Sequence, residues 1–153
     1  MTFPNLLSGL FGAVLGVLGV VILQWRETRR QEAAAARVVF MEVAQNSSAL
    51  NMARSIGVYV PLASSGWIAE QSRLAHALSP GDCVVVATFY MRVDLIRGRG
   101  FASSGAPIQG LTQAAEDAFR RGEAAAAILE KRGWWPWQRA ALREKLNELV
   151  VKA

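Results

Sequence analysis

One histidine, His76, and one cysteine, Cys83, bound the chemistry open to this chain of 153 residues. Metal binding needs several imidazole, thiolate or carboxylate groups at short fixed spacings, and no two such ligands stand at a recognised zinc spacing. No glycine-rich loop ending in lysine is present to cradle a nucleotide phosphate. Arg97-Gly98-Arg99-Gly100 has the composition of an anion-binding turn but lacks the preceding strand, so it reads as a basic loop. His76 has no partner that would make it a general base. A lone cysteine cannot close an internal disulfide, and Cys83 suits a small buried apolar position better than a redox centre. No catalytic residue, metal or cofactor is expected.

Two polar side chains have more to say. Glu42 and Asn46 stand four residues apart, on one face of the same helix, and Asn46 falls on the line from Val43 to Leu50. It should therefore point inward, where an amide must find hydrogen-bond partners. The expected role is a buried polar clasp that fixes helix register, as buried asparagine does in coiled coils. A ligand-contacting pair is the sharper alternative. A small-molecule site between helices would have to draw on Glu42, Asn46, His76 and Tyr90, which the sequence does not bring together.

Trp134-Trp135-Pro136-Trp137 is the most unusual local run, flanked by Lys131, Arg132, Arg139 and Arg143. Tryptophan beside cations fits packing at the end of a bundle, a membrane interface, or an anchor for a protein partner.

The elements that carry these groups begin with a membrane helix. Residues 1–25 contain no Asp, Glu, Lys or Arg, and Arg26, Arg29, Arg30 and Arg37 follow at once. Asn5 to Gln24 supplies the roughly 20 apolar residues that span about 30 Å of hydrocarbon, and Trp25 stands at the interface position. The N-terminus lacks the cationic start and the small-residue cleavage site of a signal peptide. The arginine asymmetry predicts a single-pass protein in the inner (cytoplasmic) membrane, N-terminus outside, C-terminal domain cytoplasmic. Ser8, Gly12 and Gly16 recur every fourth residue, a pattern that lets helices approach closely, so a homodimer through the span is expected as a possible partner state.

Residues 26–153 are long enough for one helical domain. A helix over 26–56 is predicted as a stalk, starting through Ala33 to Ala36 and carrying Val39, Val43, Asn46, Leu50 and Ala53 on one face. Residues 66–97 form a helix pair, with Trp67, Leu74, Ala75 and Leu78 expected inside. Ser79-Pro80-Gly81-Asp82 is an N-cap serine, a first-turn proline and an acid near the positive helix end. The cap and the spacing of Val86, Phe89, Tyr90, Val93 and Ile96 or Arg97 favour helix over strand for the β-branched run from Cys83. Residues 107–153 hold the C-terminal helices. Leu111, Ala115, Ala118, Gly122, Ala125 and Leu129 share a face, and Glu116 and Asp117 precede Arg120 and Arg121 by four. From Pro136, Leu142, Leu146, Leu149 and Val150 form a last stripe. The fold class is all-α: a transmembrane helix followed by a bundle of four or five helices.

Glu42-Val43-x-x-Asn46-x-x-x-Leu50 with Trp67, Leu74, Leu78 and Tyr90 resembles a pattern in small, uncharacterised bacterial single-pass membrane proteins. The resemblance covers roughly residues 5–95. It implies a tethered cytoplasmic bundle and brings no catalytic residue with it. Arginine makes up 14 of the 17 basic residues, which suits a GC-rich bacterial genome. A net charge of +5 is scattered outside the juxtamembrane arginines, which weighs against nucleic acid as a partner. The function expected is a membrane-tethered interaction or scaffold module without activity of its own, binding the bilayer and an unknown protein partner. The alternative is a holin- or toxin-like membrane-perturbing protein.

Overall fold

Pro4 is the only proline in the first 60 residues, and the N-terminal sequence runs as one uninterrupted helix, α1, from Phe3 to Ile56. The computed structural model describes residues 3–56, 59–98, 110–136 and 138–141. Three further helices follow: α2 (Ser65–Ala77), α3 (Pro80–Gly98) and α4 (Leu111–Gly133). A further helical turn starts at Pro136, and no strand occurs among the described residues. The expected anchor and stalk are thus parts of one helix. The chain divides into two compact units, Met1–Gln31 and Glu32–Ala153.

In the first unit, Phe11, Leu15, Val17, Leu23 and Trp25 are exposed on all sides of the helix. α1 is long and apolar enough to cross a membrane by length and composition, and none of its apolar window is buried within the protein.

In the second unit the expected stalk helix is a core element. Ala35, Ala36, Val39, Val43, Asn46, Leu50 and Ala53 are buried, at the three- and four-residue steps of one helix face. From α3 come Val86, Phe89, Tyr90, Val93 and Ile96, and from α4 Ala115, Ala118, Ala125 and Leu129. The β-branched run from Val84 to Val86 is a poor helix former. Its cap compensates: Ser79 Oγ accepts from Asp82 N at 3.1 Å and Ser79 O from Cys83 N at 2.9 Å. Of the expected α2 face, Leu74 is buried and Trp67 and Leu78 half-buried, whereas Ala75 is exposed. Cys83 is half-buried.

Small residues let α4 approach closely. A β-carbon at Gly122 would lie 2.7 Å from Ser47 Oγ and 3.1 Å from the Phe89 ring. Gly110, at φ +86°, starts α4 from a left-handed conformation that a side chain would strain. The last turn of α4 is tied to α1. Arg37 Nε donates to Gly133 O at 2.7 Å, Arg132 pairs with Glu32, and the Trp134 ring meets Phe40 edge-on at 5.0 Å. Glu116–Arg120 and Asp117–Arg121 form the i,i+4 pairs read from the sequence.

Candidate functional site

The densest group of buried polar atoms lies where α1 meets the start of α2. Among the described residues Glu42, Asn46 and Ser64 are the buried polar side chains; the first two bind different parts of the backbone segment in which Ser64 lies. Asn46 pairs with Ala63 in both directions: its Nδ2 donates to Ala63 O at 2.7 Å, and Ala63 N donates to its Oδ1 at 2.8 Å. The extended segment before α2 is thereby held against α1 as a neighbouring strand would hold it.

Glu42 takes over the capping of α2. Its Oε2 accepts from Gly66 N at 2.7 Å and from Ser65 Oγ at 3.4 Å, and its Oε1 accepts from Trp67 N at 3.2 Å. The second and third amides of a helix normally go to the N-cap side chain. Here a carboxylate from another helix receives them, where the helix dipole also favours negative charge. Ser64, at the N-cap position, makes no side-chain cap bond. Its hydroxyl instead accepts from Arg97 Nη1 at 2.6 Å, which fastens the end of α3 to the same point. Gly66 makes the approach possible, since a β-carbon there would sit 3.1 Å from Glu42 Oε2 and 3.3 Å from Val38 Cγ1.

Tyr90 closes the group from α3. Its ring stacks on Trp67 with centroids 5.1 Å apart and planes 7° from parallel, and it meets Phe89 edge-on. The hydroxyl is buried without a hydrogen bond in this geometry. Burial first, and then the Glu42 carboxylate nearby, hold the phenol far above the usual tyrosine value, because a phenolate would be both unsolvated and repelled. With both carboxylate oxygens of Glu42 engaged by N–H donors, the arrangement suits a fixed joint of three helices better than a site of proton transfer.

The remaining expected residues are dispersed. His76 is exposed on the last turn of α2. Among the described residues no group of three His, Cys, Asp or Glu could hold a metal ion. An open groove of about 500 Å³ lies between Leu78, Ser79 and Asp82 on one side and Ile128 and Lys131 on the other. Gly12 and Gly16 face open space on α1. The side chains of Ser8 and Trp137, the residues Arg99 and Gly100, and the stripe from Leu142 to Val150 lie outside the described residues. The other two tryptophans of the C-terminal run differ. Trp134 is half-buried against Phe40, with the Arg37 guanidinium 5.6 Å from its ring centre, whereas Trp135 is 68 % exposed.

Sequence reading missed Ser64, Gly66 and Arg97 as parts of the joint. The available signal was Ser64-Ser65-Gly66 at a helix start, where two serines allow a cap and a glycine allows a foreign group to approach. No family model, curated protein or solved structure matches the chain.

Proposed function

We propose that this chain is a membrane-tethered helical interaction module: α1 spans the inner membrane, and Glu32 onward forms a cytoplasmic domain that binds a protein partner and has no catalytic activity of its own. The observation that carries the reading is the contrast within α1. Its first part is apolar on every side with nothing packed on it, and Trp25 and Arg26, Arg29 and Arg30 follow immediately. Arg29 lies over the Trp25 ring at 5.5 Å, a pairing suited to headgroup depth. The arginines favour the cytoplasmic side. The polar joint at Glu42 supports a scaffold role, since its groups are used to fix helices together.

The test is carbonate extraction and reporter topology of the full-length protein, followed by in-cell crosslinking and mass spectrometry. The expected result is a carbonate-resistant protein, N-terminus outside, that captures one protein specifically. A carbonate-soluble protein would overturn the tether. Loss of membrane potential on expression would move the assignment to the membrane-perturbing alternative.

A further inference from the structure

We infer that the corner of the bundle around Trp135 is a docking surface for an anionic lipid bilayer. The inference rests on the membrane-tethered reading and adds a second point of contact, made by the folded domain itself.

The corner belongs wholly to the second unit. Gly133 approaches Arg37 and Ala33, and Trp134 is clamped by Phe40 and Arg37. This clamp fixes the backbone from which Trp135 projects. Trp135 is held on its other side as well: its backbone N–H donates to Gln138 Oε1 at 3.0 Å and its backbone carbonyl accepts from Arg139 N at 3.0 Å. The indole is 68 % exposed on this constrained turn and stacks on no ring among the described residues. Indoles gain most at the boundary of headgroup and acyl chain, where the ring body is dry and its N–H meets polar groups.

Charge selects the occupant. Arg37 lies over the Trp134 ring, Lys131 and Arg132 precede Trp134 in the chain and Arg139 follows Trp135, against Glu130 and against Glu32, which pairs with Arg132. A net positive surface repels a second copy of itself and attracts anionic headgroups. Covalent reach makes the encounter intramolecular. Ala33 follows Trp25 by eight residues, so whatever the geometry between them, the chain allows no more than about 29 Å of separation. At that range the effective lipid concentration is high and a weak contact suffices.

The test uses the full chain with Trp25→Phe in lipid nanodiscs containing a phosphatidylcholine brominated on its acyl chains, with or without phosphatidylglycerol. Bromine quenches only indoles that reach the acyl boundary. With phosphatidylglycerol present, tryptophan emission should be quenched, and the added Trp135→Phe should remove most of that quenching. Lys131→Gln should lower the ratio of docked to undocked protein roughly fivefold, as should each basic charge lost near an anionic surface. Both side chains are exposed, so helicity should be unchanged. Quenching that ignores Trp135→Phe overturns the inference, as does quenching equal in both lipid mixtures. Quenching that requires two copies per disc would assign the corner to self-association and overturn it too. A chain that enters discs but is not quenched defeats this inference alone; a chain that fails to enter discs defeats the membrane reading as well.

Discussion

Two stretches of α1 share one backbone and obey opposite rules. From Phe11 to Gln31 its apolar side chains point in every direction and none is buried; from Glu32 they narrow to a single buried face, and Val38, Met41 and Met52 are scattered outside it. Polar groups follow the same division. The first stretch keeps its polar side chains after Leu23, at its exposed end, and the second buries Glu42 and Asn46 with most of their bonding capacity used. A helix stabilised by its own ladder tolerates lipid on all sides. A helix stabilised by neighbours must send each polar group to a named partner.

The sharpest way to separate the two stretches is to remove a core ring. Phe89→Ala takes away a fully buried side chain and should lower bundle stability by about 4 kcal/mol, read by denaturant unfolding in mild detergent, with membrane partition unchanged. Val17→Arg should do the reverse. It places a charge in the span at about 3 kcal/mol and should move protein to the carbonate-soluble fraction, while bundle unfolding is unaffected. Glu42→Ala orphans the Gly66 and Trp67 amides and should cost about 2 kcal/mol, with faster hydrogen exchange confined to the first turn of α2.

Much of this contrast was legible in the chain. The buried set of α3, the Ser79 cap and the small-residue face of α4 follow from spacing alone, because each is a local pattern of side chains. The destination of Glu42 was not legible, since its partners are backbone amides 24 and 25 residues away that no residue type announces. The same holds for Arg37, whose acceptor is a carbonyl at Gly133. The Trp run showed its oddity in sequence but not its division, because which ring packs depends on where Phe40 lies. Whether anchor and stalk are one helix was open in the sequence, because a change of composition does not say whether the backbone helix continues across it.

Smaller effects sharpen the picture of the bundle. Gly122→Ala should destabilise by about 1–2 kcal/mol in the same unfolding assay, since Ser47 can rotate away but the Phe89 ring has less room. The smallest effect expected is in alkali. Tyr90 has its folded-state pKa raised, so its contribution is fully present below the ordinary tyrosine value of about 10 and declines as pH rises above it, where only the unfolded chain ionises. Stability measured above that pH should fall in the native protein, and the fall should be shallower in Tyr90→Phe.

The contacts of α1 differ greatly in how far along the chain their partners lie, which gives the molecule an order of assembly during synthesis. Asn46 meets Ala63 across 17 residues, and Glu42 meets Gly66 across 24. The Arg37–Gly133 bond spans 96 residues and Glu32–Arg132 spans 100. Short-range closure precedes long-range closure, so the clasp on α2 can form while α4 is still unmade. Until Trp134 emerges, Glu32, Arg37 and Phe40 wait without these partners. A nascent chain stalled or cut before Gly133 would therefore display an open seam, a mark by which a protease or chaperone could tell an unfinished copy from a finished one.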